Sequence, residues 1–222
     1  MKKSKKRTPA ETLTPFAAAC ADVAANPVYR WRCSLHEAGH LVVGLVLSPP
    51  AKRGLVGAVV LDGGGGLAYA PLGLRSIDEM TMVAAGKAAE KLAERVKPPG
   101  PAPRAGALER TVSGTVVADV KADCAAGVLD HVTLARWSIQ GVEDHPGQWM
   151  KRHSLVHYHA GLLVNEHAIR IVRGADILYA TGILLPSESK KLLEHQPGLP
   201  AERLKTPPAK PGTTAGTAGK ES

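Results

Sequence analysis

The chain has 222 residues, enough for one domain of ordinary size with tails, and 44% are hydrophobic, enough to fill a core. With one Phe, four Tyr and three Trp, that core must be packed by Ala, Val and Leu, which favours closely approaching helices. The formal charge of +8 gathers in MKKSKKR and after Gln196, as solvated arms with weak phosphate affinity. No recognition motif accompanies it, so specific nucleic-acid binding is not expected.

Residues 1–12 read as a disordered basic arm. Behind Lys2 to Arg7 there is no apolar run of the signal-peptide kind. Residues 13–196 read as the folded domain and 197–222, rich in Pro, Gly, Thr and Lys, as a disordered tail. TPFAAACADVAANP opens the domain as a helix, with Thr14 as N-cap and Pro15 at the first helical position. A second helix is expected over 29–47, where no breaker occurs before Pro49 and Pro50. Two short β-prone runs, GLVGAVVL and GLAYAP, flank DGGGG and predict a hairpin.

Helix returns over 76–96, where Ser76 and Glu79 have the capping-box spacing. PPGPAPRAG, residues 98–106, is a loop. Further helices are expected over 117–139 and 146–179, the latter breaking near Gly161 or Gly174, and TGILLPSESKKLLEH reads as a turn and a short last helix. The fold class is therefore mainly α (α+β), a helical bundle with a small β-hairpin or short sheet after the second helix.

Cys20, Cys33 and Cys124 are odd in number and show no CxxC spacing, which fits a reducing compartment better than a disulfide framework. The longest apolar run, Leu41 to Leu47, is too short for the ~20 residues a membrane helix needs. A cytoplasmic protein with no membrane insertion is expected.

The segment SLHEAGHLVVGL carries the chemistry. In a helix His36 and His40 lie on one face, so both imidazoles can bind one Zn²⁺. Glu37 then sits beside the metal as general base for a bound water whose pKa the zinc lowers. Leu41, Val42, Val43, Leu45 and Val46 bury the second half of the helix and give the ligands a rigid base. A third ligand is open to Asp62, Asp119, Asp123 or the histidines at 153, 157 and 159. His153 and His157 repeat the i, i+4 spacing, which suits a second metal pair or ordinary surface histidines.

The order of these elements resembles the peptidase domain of FtsH-type ATP-dependent zinc metalloproteases over about residues 30–195. HEAGH is followed by small and apolar residues, then by VVLDGGGGLAYAP, then by AAGKAAEKL, which is similar to that family's GRAAE element. TVSGTVVADVKADCA looks like the segment whose aspartate completes the family's zinc site, with one extra residue between Gly114 and Asp119. The resemblance implies His36, His40 and Asp119 as zinc ligands, with Asp123 one turn on as the alternative, and Glu37 as base.

No GxxxxGK[ST] occurs in the sequence, so the expectation is a peptidase domain without its ATP-driven motor. It would hydrolyse flexible or unfolded protein substrates, alone or beside a separate unfoldase. The competing expectation is a metal-binding, non-proteolytic adaptor or regulatory protein built on the same fold. The oligomeric state is left open.

Overall fold

The computed structural model describes residues 27–51, 57–60, 66–69, 76–101, 130–194 and 196–205. All of the expected helix at 14–27 except Pro27, the DGGGG turn apart from its last glycine and most of the 98–106 loop lie outside them, as does the first half of the expected 117–139 helix. The first described helix, α1, runs Pro27–Leu47 and starts on a proline, whose missing N–H costs nothing there. Leu35, Ala38, Leu41, Val42, Val43 and Leu45 are fully enclosed. A helix apolar around most of its circumference belongs in a core, and α1 is packed from several sides.

Strands β1, Gly57–Val60, and β2, Gly66–Tyr69, form the expected antiparallel hairpin, with Val59 opposite Leu67. A third strand, β3, Ile183–Leu184, adds to the free edge of β1 and gives the order β2-β1-β3. From sequence alone this segment reads as a turn. Two residues are too short for a periodic signal, and it is pairing with β1 that extends them.

Helix α2, Ser76–Ala89, tightens into a 3-10 turn over Glu90–Glu94. It crosses α1 closely because Gly39 faces Ala85 and Ala89. A Cβ on Gly39 would lie 2.6 Å from the Ala89 Cβ and 2.8 Å from the Ala85 carbonyl oxygen. The Ala-rich composition is thus spent on bringing these two backbones together.

Helix α3, Asp130–Ile139, and helix α4, Pro146–Glu166, cover α2, and α5, Ala168–Thr181, packs against α1. The break expected at Gly161 or Gly174 falls at His167 instead, with φ −105° and ψ 20°. Gly174 stays helical and serves packing: a Cβ there would lie 3.4 Å from Ala38 and 3.2 Å from Leu192. Helix α5 ends on Gly182 at φ 76°, a left-handed cap that suits glycine and turns the chain into β3. A short helix α6, Pro186–Ser189, and a 3-10 turn, Lys190–Leu193, follow.

Residues 197–205, the start of the expected tail, lie against the domain. Leu204 bridges Val96, the Lys97 N–H donates to the Arg203 carbonyl at 2.8 Å, and the Lys205 N–H donates to the Arg95 carbonyl at 2.8 Å. The Arg203 guanidinium holds both Asp176 carboxylate oxygens, at 2.7 and 3.2 Å, and lies 5.6 Å from the Trp31 ring. Trp31 is itself fixed by its indole N–H on the Val96 carbonyl, at 3.1 Å, and by an edge-on contact with Tyr179. Composition points to disorder here because backbone hydrogen bonds and the Arg203 ion pair, rather than a broad apolar face, hold the segment down. Among the described residues no helix is long and apolar enough to cross a membrane.

Candidate metal centre

His36 and His40 project from one face of α1 with ring centroids 4.6 Å apart. Their Nε2 atoms converge on one oxygen, Asp130 Oδ2, at 2.7 Å from His36 and 2.9 Å from His40. Asp130 belongs to α3. His36, His40 and Asp130 form a group that can hold a metal ion, with their ligand atoms all within 4.8 Å of one another.

The opposite ring nitrogens are also engaged. His36 Nδ1 is 2.9 Å from Glu90 Oε1, and His40 Nδ1 donates to the Met82 carbonyl at 2.8 Å. A carboxylate or carbonyl on the rear nitrogen orients an imidazole and leaves its front nitrogen for a cation. Glu90 is anchored in turn by Lys87, whose Nζ donates to Oε2 at 2.8 Å. The floor is Gly86: a Cβ there would sit 2.7 Å from His36 Nε2 and closer still to His40 Nε2. The glycine and glutamate of AAGKAAE are therefore both parts of this centre.

Side-chain exposure rises from 8% at His40 through 22% at His36 to 41% at Asp130, so the cluster is closed below and open on one side. The charges are strongly coupled. Burial opposes charge on His36, but hydrogen bonds to Asp130 and Glu90 outweigh it and raise the imidazole to about 10. Burial likewise opposes ionisation of Asp130, yet hydrogen bonds from His36 and His40 hold its carboxyl well below the usual range. Glu37, enclosed at 7% exposure, is pushed up by burial against the lowering influence of His40 and His36.

Of the residues singled out from sequence, His36, His40 and Glu37 meet at this centre. Asp119 and Asp123 lie outside the described residues, as does Asp62. The carboxylate brought to the histidines is Asp130, which the sequence reading missed. A signal was available: Asp130 follows Asp123 by seven residues, two helical turns, and so shares its face in a continuous 117–139 helix. A cleft of about 600 Å³ lined by Ile77, Glu79, Met80, Trp137, Gln140 and Arg152 shares α2 and α3 with the centre but includes none of its ligands.

No protein-family model and no curated protein matches the chain. The FtsH-type resemblance therefore rests on the motifs and their order.

Proposed function

We propose that the chain is a zinc metallopeptidase in which His36, His40 and Asp130 hold Zn²⁺ and Glu37 is the general base. Asp130 takes the place that the family resemblance assigned to Asp119, with Asp123 as its alternative. The observation that carries this reading is the convergence of both Nε2 atoms on Asp130 Oδ2, at 2.7 and 2.9 Å. A tetrahedral zinc with bonds of ~2.0–2.1 Å fits between such atoms after they part by about half an ångström. Two imidazoles and one carboxylate suit zinc and leave a position open, as in catalytic sites.

When bound, the zinc ion supplies a Lewis acid that polarises water and the scissile carbonyl. The chain's own residues do the rest. Glu37 takes the proton of the attacking water as oxygen bonds to the carbonyl carbon. It then delivers that proton to the amide nitrogen, which leaves as an amine when the C–N bond breaks. Burial favours this exchange, because it raises the proton affinity of Glu37 above that of an ordinary carboxylate. Glu90 and the Met82 carbonyl keep the two imidazoles aimed while charge moves in front of them.

The substrates of this reading are flexible polypeptides, which can enter a metal centre open on one side without prior unfolding. Stable substrates would need a separate unfoldase. An odd number of cysteines with no CxxC spacing fits a reducing compartment such as the cytoplasm.

The test is cleavage of casein, an unstructured protein, by the zinc-loaded chain and by its Glu37→Gln variant. Chelator-sensitive cleavage is expected, lowered by ~100-fold or more in the variant while zinc is retained. Absence of cleavage by the wild-type chain would overturn the peptidase reading and favour the non-proteolytic adaptor.

A further inference from the structure

We propose that His153 and His157 form a second metal site, on the outer face of α4, for a divalent transition cation of the imidazole-preferring class, such as Zn²⁺, Ni²⁺ or Cu²⁺. Their Nε2 atoms face each other at 3.1 Å. The ring centroids are 4.5 Å apart and the planes are inclined at 68°, close to the 4.6 Å and 81° of His36 and His40. A metal with bonds of ~2.0–2.1 Å separates tetrahedral ligand atoms by about 3.3 Å, so this pair is already spaced for chelation.

The second pair also has its rear nitrogen held. The Ser138 hydroxyl donates to the Leu134 carbonyl at 2.7 Å, so toward His153 its oxygen is an acceptor. His153 Nδ1, 3.2 Å from that oxygen, therefore carries the ring proton, and Nε2 presents its lone pair to His157. Orientation of one imidazole nitrogen by a hydrogen bond on the other is the usual support of a metal-ligating histidine. Ser138 is buried and belongs to α3, the helix that also carries Asp130, so one helix contacts both histidine pairs.

His157 stays neutral readily, because desolvation, with His153 and Lys91 nearby, lowers its affinity for a proton. Its lone pair is then available at neutral pH. The side chain is exposed, which leaves the remaining coordination positions to water. With two protein ligands instead of three, this site should bind more weakly than the His36 centre. Imidazole donors favour the late first-row cations over Mg²⁺ or Ca²⁺.

This inference does not depend on the peptidase reading. The metal-stripped full chain is titrated with Zn²⁺ against a chromophoric chelator, alongside His153→Ala/His157→Ala and His36→Ala/His40→Ala variants. The first variant should lose one equivalent of zinc, and the second should keep that same equivalent. His157→Ala alone should weaken it at least ten-fold, and this position is exposed enough to leave folding, followed by circular dichroism, unchanged. If zinc binding is the same with and without His153 and His157, the two rings only share a proton and the proposal fails.

Discussion

His36 and Glu90, 54 residues apart in sequence, are joined by a 2.9 Å contact between Nδ1 and Oε1 on the side of the imidazole away from Asp130. In the proposed centre Glu90 acts through His36 and is a positioning residue. Replacing it by Gln removes the charge but keeps the size. Carboxylate partners of this kind are worth about 10–100-fold in metal affinity. Glu90→Gln should weaken zinc binding by that amount in a chelator competition, with little change in fold. Unchanged affinity would mean that the contact is incidental.

Gly86 gives the steric counterpart. A methyl group there overlaps both imidazoles, and the glycine is buried on the face of α2 that meets the His36 and His40 rings of α1. Gly86→Ala should lower zinc affinity and cost about 1–3 kcal/mol of stability, the usual range for overpacking. Zinc content and urea unfolding read the two effects. A variant that binds zinc normally would show that the imidazoles sit elsewhere in solution.

Arg203 ties the last described segment to the core through Asp176 and the face of Trp31. Both partners of the ion pair are largely enclosed, at 12% and 17% side-chain exposure. Arg203→Ala should therefore cost about 2 kcal/mol, in line with losing a charged hydrogen-bonded partner. Urea unfolding of the variant measures this. A loss below a few tenths of a kcal/mol would place Arg203 in solvent.

His167 sets a pH dependence away from the metal centre. Desolvation is the largest cause that lowers its pKa from 6.5, Glu166 opposes it, and Arg170 adds to it. The Arg170 guanidinium donates to His167 Nδ1 at 2.8 Å, a bond that needs the neutral ring. The unfolded chain thus binds a proton more readily than the folded one. The stability that His167 contributes is complete above 6.5 and falls as pH drops through that value toward the lowered folded pKa. The melting temperature of the wild type should fall between pH 7.5 and pH 5 by more than that of His167→Gln. Equal slopes would assign the acid sensitivity to other groups.

Elements with a strong local pattern were legible in the sequence. The apolar stretch from Leu41 to Leu45 fixes a buried α1, and the runs around DGGGG give β1 and β2. His36, Glu37 and His40 were legible because helical spacing alone brings them together. Asp130 was legible only as one more acidic residue on the face of Asp123, since its approach to the histidines depends on how α3 packs over α2. Gly86 and Glu90 stood in view as a motif, but their roles as floor and anchor needed the crossing of α1 and α2. The docking of residues 196–205 was hidden for the same reason, because Asp176 and Trp31, its partners, are remote in sequence.

The central claim is that Asp130 completes a metal centre with His36 and His40. Its most direct test is zinc affinity in a His153→Ala/His157→Ala background, where one site remains to be counted. Asp130→Ala should bind zinc at least ten-fold more weakly than its parent, whereas Asp119→Ala and Asp123→Ala should match the parent. Full affinity in Asp130→Ala, or loss of affinity in Asp119→Ala with Asp130 intact, would contradict the assignment.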